Sequence, residues 1–127
     1  MTWKEKAAQH AKECLPKESC GLLAIVKGKE VYFPCKNLAN DVTAYFIIDP
    51  DDWANAEDSG DLIGLVHSHP NGSIFPSEAD KNACEYLGLK WHIYSPEIDD
   101  WYSFAPSGYK PSSIIGKTWI WGAADCW

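Results

Sequence analysis

The stretch Asp61-Leu62-Ile63-Gly64-Leu65-Val66 is apolar, has a β-branched bias and runs straight into His67-Ser68-His69-Pro70. A short apolar run of this kind reads as a buried strand. Side chains two apart on a strand share a face, so His67 and His69 project together from its C-terminal end while Ser68 faces away. Pro70, Asn71, Gly72 and Pro76 then mark a loop. Ser77 through Leu87 opens as a helix, with Ser77 at the N-cap and Asp80 three residues later. Strand end, loop and helix start can therefore bring His67, His69 and Asp80 to one point.

Two neutral imidazoles and one carboxylate form a ligand set suited to a single divalent metal. With zinc, such a set leaves a net charge of about +1 and an open fourth position for water. A carboxylate in the first helical turn is favoured in its ionised form by the helix dipole. Metal coordination lowers the pKa of a water from 15.7 to roughly 7. A second, non-ligating carboxylate can then take a proton during attack and return it to the leaving amine. Glu18, in Pro16-Lys17-Glu18-Ser19-Cys20-Gly21, is the candidate for that role. The Ser77 hydroxyl is a candidate donor to a tetrahedral oxyanion.

Each piece has a plainer reading. Ser77-x-x-Asp80 is also a capping arrangement, and the two roles need not exclude each other. His-x-His alone is a satisfied polar pair, and Glu18 alone is an exposed charge. The complete spacing is what argues for a metal.

The rest of the chain reads as scaffold. Trp3 through Leu15 is a helix, with Ala7, Ala8, Ala11 and Cys14 at apolar spacings of 3 and 4 and Pro16 as its stop. Gly21–Val26 and Glu30–Phe33 form a hairpin around Lys27-Gly28-Lys29, which puts Glu18 just before the first strand, near one sheet edge. Ala44–Ile48 is read as another strand, followed by a short helix with Asp49 as cap and Pro50 in its first turn. Leu89–Ser95 and Asp100–Phe104 close the sheet. The expected architecture is α/β: a mixed β-sheet flanked by the first helix on one side and the motif helix on the other. His92 is expected as a core or edge residue, and Cys84 as a packed core cysteine.

Composition sets outer limits. A chain of 127 residues can bury a sizeable single core. Its net charge is −7 with no arginine, which argues against nucleic acid and anionic membrane surfaces as partners. No run approaches 18 apolar residues, so no membrane insertion is expected, and the N-terminus is amphipathic and lacks the apolar core of a signal peptide. Five cysteines with no Cys-x-x-Cys pair suit a reducing compartment better than a disulfide framework. Residues 106–118, rich in Pro, Ser and Gly, read as a linker.

His67-x-His69-Pro70-x6-Ser77-x2-Asp80 with an upstream Glu18 resembles the JAMM (MPN+) metalloprotease signature, with every element present. The similarity runs from about residue 5 to residue 105. It implies a zinc-dependent peptidase or isopeptidase acting on a protein or peptide. It also implies a cytidine-deaminase-like α/β fold, with Zn2+ on His67, His69 and Asp80, Glu18 as acid/base and Ser77 as oxyanion donor.

A narrower resemblance is carried by Pro34-Cys35-x-Asn37, Ala44-Tyr45-Phe46-x-Ile48-x-Pro50-x-Asp52-Trp53 and Leu65-Val66-His67-Ser68-His69-Pro70. These segments are similar to the amino-terminal domain of lambda-type phage tail assembly proteins, where a JAMM domain precedes an NlpC/P60 cysteine peptidase domain. That implies phage tail-tip proteins as partners, with the protein in the host cytoplasm during assembly and in the virion tail afterwards. Residues 119–127, ending Ala124-Asp125-Cys126-Trp127, are similar to the opening of an NlpC/P60 domain. No histidine follows Cys126 to activate it, so Cys126 is expected to be inert here, in a chain cut from a longer product or encoded apart from its second domain.

Two other functions compete with the peptidase. A silent structural module of the tail tip would need no motif, yet no motif residue is lost. A zinc deaminase would need His-x-Glu and Pro-Cys-x-x-Cys, and both are absent.

Overall fold

The structure, a computed structural model, describes residues 1–40 and 45–109. Eight elements follow in order: α1 (Trp3–Cys14), β1 (Cys20–Val26), β2 (Lys29–Cys35), α2 (Pro50–Ser59), β3 (Asp61–Ser68), α3 (Glu78–Leu87), β4 (Lys90–Ser95) and β5 (Asp100–Phe104). The strands form one five-stranded sheet in the order β2-β1-β3-β4-β5. Only β3 and β4 run parallel, and α3 is the crossover that a parallel pair requires. The sheet is mixed, as expected.

Local chemistry explains the boundaries. α1 starts on a capping box between Thr2 and Glu5 and stops ahead of Pro16. The β1–β2 turn holds two residues rather than three: Lys27 (φ 51) and Gly28 (φ 80) are both left-handed, and Lys29 already pairs with Val26. α2 starts with the Asp49 side chain accepting the Asp51 N–H, and Pro50 sits in the first turn.

Alternation along the strands splits the core into two faces. Leu23, Tyr32 and Val66 pack against Ala7 of α1. Cys20, Leu22, Leu65 and Trp91 face the other way, against Ala56 of α2 and Cys84 of α3. Fully burying side chains such as Leu22 and Leu65 is worth roughly 1.5–3 kcal/mol each. α1 and α3 thus lie on opposite sides of the sheet.

Two further expectations need correction. The first is the strand over Ala44–Ile48. Residues 41–44 lie outside the described residues, and among the described residues 45–48 make a single bridge, Asn37 to Ile48. The Asn37 side chain substitutes for a ladder partner: its Nδ2 donates to the Tyr45 carbonyl and its Oδ1 accepts the Ile47 N–H. The second concerns Glu18, which is not near a sheet edge. β1 pairs with β2 on one side and β3 on the other, so Glu18 precedes an interior strand and is buried. Residues 110–118 of the expected linker, Trp119, Trp121 and Cys126 lie outside the described residues. No helix among the described residues is long and apolar enough to cross a membrane.

Candidate metal centre

The end of β3 carries the first two side chains. Leu65 and His67 share the face that α3 covers, and the chain continues to His69 on the same side. Ser68, fully buried, points to the other face, where its Oγ accepts the Ser19 N–H at 2.8 Å. The Ser68 N–H in turn donates to the Ser19 carbonyl at 3.1 Å. This exchange continues the β1–β3 register past the Cys20–His67 pair and sets Glu18 opposite His69.

The third side chain comes from the start of α3. Ser77 and Asp80 form a complete capping box: Ser77 Oγ accepts the Asp80 N–H at 3.1 Å, and Asp80 Oδ2 accepts the Ser77 N–H at 3.0 Å. The box orients the carboxylate toward the histidines. Asp80 Oδ1 lies 3.5 Å from His67 Nε2, and Oδ2 lies 3.3 Å from His69 Nε2. Capping and convergence on the histidines are both present. One ligand atom from each of His67, His69 and Asp80 lies within 4.8 Å of the others.

Tautomers follow from the partners. His69 Nδ1 is 2.9 Å from the Ser73 carbonyl, which can only accept, so Nδ1 carries a hydrogen and Nε2 faces Asp80. A backbone carbonyl on the far nitrogen is the usual support of a metal-ligating histidine. His67 is fully buried between Phe46, at 4.5 Å between ring centroids, and Trp91, at 5.3 Å. Among the described residues neither of its ring nitrogens has a hydrogen-bond partner. Buried polar atoms are normally paired. An orphaned imidazole nitrogen facing a carboxylate and a second imidazole is what a missing cation would leave, and the N/N/O donor set suits zinc.

The electrostatics agree. Burial pushes His67 well below the usual histidine range, so it is neutral and its contact with Asp80 is not an ion pair. Burial also opposes charge on His69, but the Asp80 carboxylate, the Ser73 carbonyl and the nearby Glu18 outweigh it and raise its pKa. For Asp80, burial favours the neutral acid. The His69 contact and the Ser77 N–H overcome that and hold its carboxyl below the ordinary value. Glu18 is raised to about 7, chiefly by burial, with His69 opposing and the Asp80 charge adding to the rise.

Glu18, His69, Ser77 and Asp80 line one cleft of about 1080 Å³, with Phe46 and Trp91 among its apolar walls. Of the residues singled out in the sequence, Glu18, His69, Ser77 and Asp80 meet here, with His67 behind them. Cys84 is buried in the core with its Sγ near the Leu89 carbonyl, and it stands outside the His/Asp cluster. His92 lies on the α1 side, bonded to Ser103 and packed edge-on to Trp3. Ser73, Phe46 and Ser68 were not anticipated. A carbonyl contact, a packing contact and a hydroxyl bonded to the backbone carry no residue-type signal in a sequence.

Fold and site together define a JAB1/MPN domain. The family model described as prokaryotic homologs of the JAB domain matches residues 2–118, and the chain belongs to that family. It is 40% identical over 118 residues to the tail tip assembly protein K of Escherichia phage N15, an alignment covering 93% of this chain and 48% of that protein. It is 31% identical over 78 residues to the corresponding protein of phage lambda, covering 61% and 36%. The chain thus spans about half the length of these relatives or less. The desampylase of Haloferax volcanii is 29% identical over 90 residues, 65% of each chain. Among solved structures, a protein of Desulfitobacterium hafniense superposes with a TM-score of 0.66 at 29% identity, covering 80% of this chain and 78% of that one. A JAB1/MPN domain protein of Archaeoglobus fulgidus gives 0.55 at 21% identity, covering 86% and 87%, which shows the shared fold.

Proposed function

We propose that this domain is a zinc-dependent metallopeptidase that hydrolyses an amide or isopeptide bond in a protein of the phage tail tip. The observation that carries the reading is His67. It is a buried imidazole with no hydrogen-bond partner for either nitrogen among the described residues, within 4.8 Å of two further ligand atoms and beside a cleft that also holds Glu18. His67, His69 and Asp80 would hold the ion. When bound, zinc supplies Lewis acidity, polarising a carbonyl and lowering the pKa of water to roughly 7.

The chain's own groups account for the remaining steps. Glu18, whose pKa sits at about 7, is poised both to accept a proton from an attacking water and to return it to the leaving nitrogen. The Ser77 oxygen is committed as an acceptor to the Asp80 N–H, which leaves its O–H free to donate to a developing oxyanion. Phe46 and Trp91 keep water from the flank of His67, which strengthens the electrostatics of the site. The likeness to tail tip assembly proteins supports tail proteins as substrates or partners, encountered in the host cytoplasm during assembly or in the finished tail.

The test is a cleavage screen. Wild type and Glu18→Gln, both loaded with zinc, are incubated with purified tail-tip proteins and with cell-wall fragments, and products are compared by mass spectrometry. A product made only by wild type supports the reading. Absence of any product with either protein would remove the peptidase and leave a structural module, while the same products from both would remove Glu18 as the acid/base.

A further inference from the structure

Asn37 stands outside the ligand set and the acid/base and oxyanion groups, yet its side chain uses its full hydrogen-bonding capacity. Nδ2 donates to the backbone carbonyls of Glu18 and Tyr45, each at 3.2 Å. Oδ1 accepts the N–H groups of Ala39 and Ile47, each at 3.0 Å. An asparagine amide has two donor hydrogens and two acceptor lone pairs, and all four are occupied. The orientation is unambiguous, because both partners of Nδ2 can only accept and both partners of Oδ1 can only donate.

What the four bonds join matters more than their number. One end is the backbone of Glu18, just ahead of β1. The other is the irregular segment 45–48, which carries Phe46 against His67 and lines the cleft. Among the described residues that segment is held by one bridge to Asn37, by backbone bonds from Leu38 to Ile47 and from Asp49 to Lys36, and by the packing of Phe46 and Ile48 on the core. The Glu18 carboxylate makes no hydrogen bond among the described residues, so its position depends on its backbone. Ser19 is tied to Ser68 on one side, and the Glu18 carbonyl is tied to Asn37 on the other.

The geometry points to Asn37 as the positioning residue of the site, fixing the Glu18 backbone and the Phe46–Ile47 wall to each other through a single amide. Its importance to turnover rests on the peptidase reading; the tether itself does not. Small displacements of a reacting group cost rate steeply, roughly a hundredfold for about 1 Å. Loss of the donor half should therefore lower kcat, while loss of the acceptor half should loosen the wall.

Asparagine-to-aspartate and asparagine-to-alanine substitutions separate the two halves. Asn37→Asp keeps oxygen acceptors for Ala39 and Ile47 but sets an anion against two carbonyls. Asn37→Ala removes everything. The full chain is measured in three ways: zinc binding with the metal alone, amide hydrogen exchange by NMR, and turnover of the tail peptide recovered from the cleavage screen. All three proteins should bind one zinc, since no ligand is altered. In Asn37→Ala the Ala39 and Ile47 amides should exchange at least about tenfold faster, with kcat down at least about tenfold and KM raised. In Asn37→Asp those amides should stay protected while kcat still falls at least about tenfold with KM near wild type. Unchanged protection at Ile47 in Asn37→Ala, or wild-type kcat in Asn37→Asp, overturns the assignment. Should alanine prevent folding, the aspartate variant carries the test. Should wild type itself show no turnover, the peptidase reading falls, and exchange at Ala39 and Ile47 decides the tether alone.

Discussion

Replacing His67 with leucine should shift stability in opposite directions with and without zinc. In zinc-stripped protein, both ring nitrogens of a fully buried, neutral imidazole lack hydrogen-bond partners among the described residues. An unsatisfied buried polar group costs about 1–3 kcal/mol. Leucine removes that penalty but gives up the edge contacts with Phe46 and Trp91, each worth roughly 0.5–1.5 kcal/mol. Taken at about 1.5 kcal/mol for each of the two nitrogens and about 1 kcal/mol for each ring contact, the balance favours leucine by about 1 kcal/mol, a rise in Tm of about 3–5 °C for a domain of this size. Zinc at ~100 times its Kd stabilises wild type by about 2.7 kcal/mol and should do nothing for a variant that has lost a ligand. Wild type would then be the more stable protein by about 2 kcal/mol. Thermal melts of both proteins in chelator and in excess zinc read the order directly. A stripped variant that melts below stripped wild type would refute the orphan argument, and equal zinc responses would refute His67 as a ligand.

Glu18→Gln should retain one zinc per chain by elemental analysis yet lose hydrolysis by about 10²-fold or more; retained turnover would take Glu18 out of the mechanism. Zinc affinity should weaken as pH falls. The pKa of His69 lies above its ordinary value because Asp80 outweighs burial. Below that pKa the ring holds a proton that zinc must displace, so at pH values under about 6.5 the apparent Kd should rise about tenfold per pH unit, a slope measurable by calorimetry. Ser77→Ala should cost about 1 kcal/mol through the lost cap of α3, seen as a lower Tm, and should depress kcat further than that stability loss explains. A kcat unchanged at full zinc occupancy would leave Ser77 as a cap alone.

Much of this was legible in the sequence because the relevant signals are local. The 61–66 run announced β3, and the two-residue period put His67 and His69 on one face. Ser77-x-x-Asp80 announced the start of α3, and the structure has the capping box together with a carboxylate turned to the histidines. What the sequence concealed depends on tertiary partners. Tyr45-Phe46-Ile47-Ile48 has strand composition, yet its backbone bonds go largely to one asparagine side chain. Glu18 looked like an exposed edge charge because nothing local reveals that β3 pairs on the far side of β1. The burial of Glu18, and hence its raised pKa, follows from that pairing.

Diffraction from crystals grown with zinc, recorded on either side of the zinc absorption edge, tests the central claim most directly. The account predicts one anomalous peak at about 2.0–2.2 Å from His67 Nε2, His69 Nε2 and an Asp80 carboxylate oxygen, with Glu18 beside it and not bound to it. No peak at that position, or a peak held by other residues, would contradict it.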